Sequence, residues 1–192
     1  MHEQPTATPD TPARRTLSPR QREVLSWALH FFMAFVLAMV IRTFLFEPVR
    51  VQGESMRETL QNRELMIASK WDYVWGDPSR FDVVICSFPN RTETFVKRVV
   101  GLPGESVALR GGELYIDGEL VEQHFRRTSS QRDFGPVLVP EDSYFVMGDN
   151  RDHSNDSRAA AVGPLPRSMI RGHVQLIAFP LGSVRRVRGN EP

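Results

Sequence analysis

The sequence predicts a mainly β protein: an antiparallel β domain that follows one membrane-spanning α-helix. Three observations carry that expectation. Residues 24–46 are dominated by Leu, Phe, Val, Ala, Met and Ile, and about 20 such residues cross a bilayer core. Beyond them, short β-like runs recur between Gly and Pro punctuation, as in Gly101-Leu102-Pro103-Gly104 and Gly111-Gly112. No long helical pattern interrupts those runs, which favours closely connected antiparallel strands.

Residues 1–22 are rich in Pro, Thr and charge and read as a disordered tail. Residues 23–46 read as the transmembrane anchor. Ser26, His30, Arg42 and Thr43 interrupt it. Arg42 lies near one end, where its long side chain can snorkel to the interface. His30, near the other end, reads as interfacial rather than as a ligand. A cleaved leader would need small residues after its apolar core, whereas Glu47-Pro48-Val49-Arg50 follows here. Arg14, Arg15, Arg20 and Arg22 precede the span, while Arg42, Arg50 and Arg57 lie at or after its end. The balance leans towards a cytoplasmic N-terminus.

Residues 47–192 read as the β domain, with strands expected at 49–51, 65–68, 82–88, 95–100, 106–109, 113–116, 144–147 and 174–179. Residues 113–121 form a hairpin candidate turning at Asp117-Gly118, within an insertion spanning about 106–140. Residues 123–136 are polar and read as a loop. Lys+Arg 24 against Asp+Glu 23 leaves a net charge of +1, which argues against nucleic acid as a partner. The single cysteine, Cys86, can form no internal disulfide, and its place in a strand makes it a small core residue rather than a nucleophile.

Three pieces carry candidate chemistry. Ser55, in Gly53-Glu54-Ser55-Met56, is either a turn serine or a nucleophile; Gly-x-Ser alone favours the former. Lys97 lies in the apolar run Phe95-Val96-Lys97-Arg98-Val99-Val100. Pointing inward, it would lose its charge to burial and become a general base. Taken alone, alternation with Arg98 along a strand favours the plainer reading, in which one of the two is simply solvated. The third piece is Met147-Gly148-Asp149-Asn150-Arg151-Asp152-His153-Ser154-Asn155-Asp156-Ser157-Arg158. Its acids lack the spacing and turn glycine of a calcium loop, and a buried Asp/Arg network bracing a site fits better. A Ser-His-Asp triad through His124, His153 or His173 has no supporting local pattern.

Together, and in order, these pieces resemble the type I signal peptidases, membrane-bound Ser/Lys proteases. The resemblance covers nearly everything from the anchor to Pro180. It implies an antiparallel β-barrel-like catalytic domain, with Ser55 as nucleophile, Lys97 as base and Ser154 as the serine that orients the lysine. Asp149, Asp156 and Arg158 match the family's structural polar network; Val49, Val51, Met56, Leu60 and Val96 match substrate-pocket positions. No cofactor or metal is implied. The implied partners are exported preproteins cut after a small-x-small site, together with the lipid bilayer and the export channel, at the plasma membrane. The chain departs from the family pattern at Glu58, where proline is usual, at Arg63-Glu64, where Gly-Asp is usual, and at Phe81, where glycine is usual. A Glu58 carboxylate close to Lys97 would hold the ammonium form and oppose the base role. Gly53 leaves the oxyanion to backbone N–H groups, that of Ser55 first. Trp71 and Trp75 read equally as interfacial or as ordinary aromatics. Two rival readings are the soluble self-cleaving repressors, which lack an anchor, and a membrane-tethered interaction module.

Overall fold

The computed structural model describes residues 18–187 and 189, as an apolar helix and a β domain taken separately. Helix α1 spans Pro19–Val40. Its start follows from local chemistry. Ser18 and Gln21 form a reciprocal capping box, the Gln21 N–H reaching Ser18 Oγ at 3.3 Å and the Ser18 N–H reaching Gln21 Oε1 at 2.9 Å. Pro19 takes the first helical position, where no N–H is needed. The 22 residues rise about 33 Å, enough for a hydrocarbon core, and by length and composition the helix can cross a membrane. His30 turns its ring back to the Ser26 carbonyl at 2.6 Å, a contact inside the helix.

The β domain begins with a π-helical turn, Ile41–Leu45, so the helix ends earlier than the apolar run. Phe46, expected at the end of the anchor, is already the first residue of β1. Strands β1 (Phe46–Arg50), β2 (Leu65–Ser69), β3 (Val83–Ser87), β4 (Thr94–Gly101), β9 (Ser143–Met147), β10 (Leu165–Pro166), β11 (Ile170–Phe179) and β12 (Arg185–Arg186) make one curled antiparallel sheet. Its order is β1-β2-β11-β3-β4-β9-β10, with β12 also on β11. Register shifts interrupt β11 against β2 and β3, and β4 against β9. Such bulges bend strands and increase twist, which curls the sheet into a half-barrel. A second sheet, ordered β7-β6-β5-β8, holds β5 (Ser106–Arg110), β6 (Glu113–Ile116), β7 (Glu119–Leu120) and β8 (Phe134–Leu138). Gly101 ends β4 beside it; a Cβ there would lie 2.4 Å from Val107 Cγ2 and 3.0 Å from Phe145 Cβ, so only glycine fits.

Burial on both faces explains the continuous apolar runs. Val83 and Ile85 of β3 face one core, with Met56, Leu60, Met66 and Ile177. Val84 and Cys86 face another, with Val99, Val146 and Leu165. A third joins the two sheets through Phe81, Val107, Leu109, Phe145 and Met147. Each large apolar side chain so buried contributes about 1.5–3 kcal/mol. Cys86 is fully buried, and burial pushes its thiol up to about 12, an inert core residue.

The structure corrects two local expectations. Residues 134–138, inside and just past the expected loop, form β8. It is the edge strand of the small sheet, where Pro136 costs no ladder bond. Residues 72–75 form a short helix, α2 (Asp72–Trp75), with Trp71 and Trp75 53% and 80% exposed, which excludes a core role for either.

Two departures from the family pattern occupy left-handed backbone. Arg63 has φ 72° and Phe81 φ 72°, a conformation costing a residue with Cβ about 1–2 kcal/mol. Phe81 recovers that cost by burying its ring against Phe125, at 5.3 Å between centroids. Arg63 is exposed and recovers nothing. Arg63→Gly is therefore expected to stabilise the domain by about 0.5–1 kcal/mol, net of the entropy glycine adds to the unfolded chain. Urea unfolding of the variant beside the wild type checks it; a lower midpoint would show that the Arg63 side chain contributes more than the strain costs.

Candidate active site

Strand β1 leads into a tight turn over residues 51–60. The Arg57 N–H bonds the Glu54 carbonyl, and the Thr59 and Leu60 N–H groups bond that of Met56. Met56 and Leu60 are buried in the core beneath. Ser55, between exposed Glu54 and buried Met56, is held half-exposed at the rim. The end of β9 grips the turn from the other side. Asn150 donates its N–H to the Ser55 carbonyl at 2.9 Å and its Nδ2 to the Glu54 carbonyl at 3.1 Å. Gly148 makes that approach possible: a Cβ there would sit 2.5 Å from the Ser55 carbonyl oxygen and 2.4 Å from Ser154 Oγ.

Lys97 lies in β4 opposite Val84 of β3 and is 2% exposed. Its Nζ is 2.6 Å from Ser55 Oγ. Burial drives its pKa below the ordinary value of 10.5, and this outweighs the opposing pull of the Asp156 charge. Arg98, on the other face of β4, is also fully buried, so neither side of the alternation is solvated. Asp149 receives Arg98 Nε at 2.9 Å and Nη2 at 2.8 Å. Arg98 Nη1 donates to the Phe81 carbonyl at 2.8 Å, and the guanidinium lies 3.8 Å over the Phe125 ring. Thr59 Oγ1 also donates to Asp149, tying this pair to the turn that carries Ser55.

Asp156 is buried and receives Arg158 Nε and Nη2, both at 2.8 Å, and the Gly148 N–H at 3.0 Å. Burial alone would raise its pKa, but Arg158 outweighs burial and holds it below the usual carboxylate range. Asp149 and Asp156 are thus each taken up by an arginine. Ser154 follows in the same segment. Its Oγ is buried and makes no hydrogen bond with Lys97 or any other described residue, although it lies near enough to Asp156 to favour the carboxylate's charge.

A cleft of about 480 Å³ opens beside Ser55, lined by Val49, Val51, Met56, Phe95 and Val96 among others. Leu60 does not line it; its side chain supports the turn from within the core. A larger cleft of about 740 Å³ contains neither Ser55 nor Lys97 and is lined by Glu58, Glu64, His124 and Arg185. Glu58 lines this cleft and not the one beside Ser55, and it is not among the main influences on Lys97. Glu64, the other acidic departure, is buried and pairs with Arg185 at 2.8 Å. No histidine bonds Ser55 among the described residues: His173 is paired with Asp72 at 2.9 Å and His124 with Glu122 at 3.5 Å. Arg98 was legible only as a charge alternating with Lys97; its acceptor lies 51 positions away.

The site thus sets a buried amine, Lys97, against a serine at the rim, Ser55. Residues 24–179 match the family model described as signal peptidase, peptidase S26. Signal peptidase I P of Bacillus subtilis subsp. natto is 35% identical over 179 residues, covering 88% of this chain and 96% of its own. Signal peptidase I of Bacillus amyloliquefaciens is 37% identical, covering 88% and 95%. A solved signal peptidase I from Enterococcus faecalis V583 is 31% identical, covers 51% of this chain and 97% of that one, and superposes with a TM-score of 0.45. The chain belongs to the signal peptidase family, peptidase S26. Its function is that of a signal peptidase I, a serine-type peptidase.

Proposed function

We propose that Ser55 is the nucleophile and Lys97 the general base with which this protein removes signal peptides from exported preproteins. The observation that carries this reading is the 2.6 Å contact between Lys97 Nζ and Ser55 Oγ, made by a lysine that burial inclines towards the neutral amine. The neutral amine accepts the Ser55 proton as Oγ attacks the scissile carbonyl. The Lys97 ammonium then protonates the leaving amine, and the regenerated amine activates the water that releases the acyl group. Negative charge on the carbonyl oxygen is met by the Ser55 N–H, which takes no acceptor among the described residues. The ammonium formed midway needs acceptors. The family resemblance assigns that part, and with it the orienting of the lysine, to Ser154, whose Oγ is buried beside Asp156. Asp149, Asp156 and Arg158 act as structural braces. The chemistry so written uses side chains, a backbone N–H and water.

Strand β1 is an edge of the large sheet, and an extended substrate can add beside it through main-chain bonds. Val49, Val51, Met56 and Val96 line the cleft that would read small side chains, typically Ala, at the first and third positions before the cut. Residues 1–22 would form the cytoplasmic tail, 23–46 the single span of the plasma membrane and 47–192 the extracytoplasmic peptidase domain, working near the export channel. Exposed Trp71 and Trp75 supply amphipathic rings of the kind that membrane interfaces favour.

The test is cleavage of a synthetic preprotein in liposomes from about pH 6 to about pH 10 by the wild type and Ser55→Ala. Cleavage after the small-x-small site is expected from the wild type alone. Its rate should rise through a single deprotonation below 10.5, the ordinary lysine value. Equal cleavage by Ser55→Ala would remove Ser55 from the mechanism. A rate independent of pH would remove Lys97 as base.

A further inference from the structure

Asn150 holds two successive peptide units of the turn that carries Ser55. Its backbone N–H donates to the Ser55 carbonyl at 2.9 Å, and its side-chain Nδ2 donates to the Glu54 carbonyl at 3.1 Å. The residue is 2% exposed, so its amide is packed against the turn rather than given to solvent. Of the two ends of that amide only the NH₂ can face a carbonyl oxygen, which fixes the side chain's orientation.

The peptide unit between Glu54 and Ser55 is trans. A planar trans unit points its carbonyl and its N–H in opposite directions. A side chain that pins the Glu54 carbonyl therefore also aims the Ser55 N–H, the donor that meets the oxyanion. That N–H is bonded to nothing among the described residues, so its own peptide plane alone directs it. The other bond, from the Asn150 N–H, holds the next unit, between Ser55 and Met56. With the planes on both sides of its Cα held, the φ and ψ of Ser55 are set as well.

The Glu54 carbonyl takes a further bond from the Arg57 N–H at 3.1 Å. That bond closes the turn on itself and sets nothing relative to the sheet. Asn150 supplies the missing link. It lies just past Met147, the last residue of β9, and Met147 pairs with Arg98 of β4, the neighbour of Lys97. One amide thus ties the oxyanion donor to the strand pair that carries the base. A bond accepted by the carbonyl also polarises the unit and strengthens its N–H as a donor.

We propose that Asn150 is a positioning residue for the oxyanion: through the Glu54–Ser55 peptide, its Nδ2 aims the Ser55 N–H at the place where negative charge develops. This rests on the Ser55/Lys97 reading above.

The experiment compares the full-length wild type with Asn150→Leu, which keeps much of the volume and loses the donor, and with Asn150→Ala, which keeps the comparison available if the leucine variant does not fold. Preprotein cleavage is read beside inhibition by two peptides ending in a small-x-small sequence, one an aldehyde and the other the corresponding alcohol. Ser55 Oγ adds to the aldehyde carbon, its proton passes to Lys97, and the carbonyl oxygen becomes an oxyanion. The alcohol has no carbonyl to attack. Each variant is expected to lower kcat about tenfold to a hundredfold, with KM changed by about twofold at most. The aldehyde's inhibition constant should rise by the factor by which kcat/KM falls, while the alcohol's holds. The pH midpoint of kcat/KM should stay at the wild-type value, because both variants are neutral and Asn150 acts on the oxyanion rather than on Lys97. A folded variant with wild-type kcat overturns the proposal. Equal weakening of aldehyde and alcohol overturns it too, since the residue would then shape the cleft alone. A displaced pH midpoint would assign the effect to Lys97 instead. A wild type that neither cuts the preprotein nor binds the aldehyde more tightly than the alcohol would sink the Ser55 reading on which this role depends.

Discussion

Lys97→Met is expected to lower cleavage by about 10²–10⁴-fold or more while raising the thermal stability of the β domain at neutral pH. Both effects come from one cause. Lys97 is buried in a strand whose neighbours are largely apolar, and burial places its folded-state pKa below 10.5, its ordinary value in the unfolded chain. Below both values the folded protein must hold an ammonium that its surroundings disfavour. That penalty is present in full below the folded pKa. It shrinks as pH rises between the two values, because the unfolded chain then binds more protons, and it is gone above 10.5. Methionine keeps the length of the side chain and removes the charge. Each kcal/mol recovered should raise the melting temperature by about 2–4 °C, and the gap to the wild type should close as pH approaches 10.5. Calorimetry across pH beside the cleavage assay reads both. Retained cleavage would remove Lys97 from the mechanism. Loss of cleavage with lower stability at every pH would mean that Asp156 stabilises the ammonium more than burial disfavours it, leaving the base to be generated only when substrate closes the cleft.

That trade-off bears on which parts of the protein were legible in its sequence. Alternation and apolar runs mark β3 and β9 because each side of these strands meets a core. Lys97 and Arg98 defeat the same logic. Alternation predicts that one of two neighbouring charges is solvated, yet both are buried, because one meets Ser55 and the other meets Asp149, just past a strand far along the chain. β8 was hidden by Pro136, which reads as a loop until its edge position is known. β10 and β12, at two residues each, are defined by partners rather than by local pattern. At the site, Ser55 and Lys97 could be paired from sequence only through family resemblance; spacing alone left a turn serine and a strand lysine. Resemblance placed Leu60 at the substrate; in the fold Leu60 is buried in the core beneath the turn that presents Ser55. It likewise raised Glu58 as a threat to the base, and Glu58 lines the other cleft.

Asp149→Ala should be the most destabilising of the single changes considered, at about 3–5 kcal/mol. The Asp149 carboxylate is fully buried and receives two nitrogens of Arg98, which is itself fully buried. Its removal leaves a buried guanidinium that keeps contacts such as the Phe81 carbonyl, Thr59 Oγ1 and the Phe125 face but has lost its carboxylate. It also strands Thr59 Oγ1, which ties the nucleophile turn to the box. Activity is therefore expected to fall further than stability alone accounts for, because Ser55 loses one of the contacts that fix its turn. The double variant Arg98→Met, Asp149→Leu removes both charges at similar volume. Such replacements of buried pairs are often neutral or stabilising, so it should recover most of the folding free energy. Its cleavage rate should stay low, since the bond from Thr59 is still missing. Urea unfolding with cleavage measured on the folded fraction separates the two roles. A double variant as unstable as Asp149→Ala would mean that packing around Phe81 and Phe125, rather than the uncompensated charge, sets the cost. A double variant restored in both stability and rate would mean that the pair holds the fold without aiming Ser55.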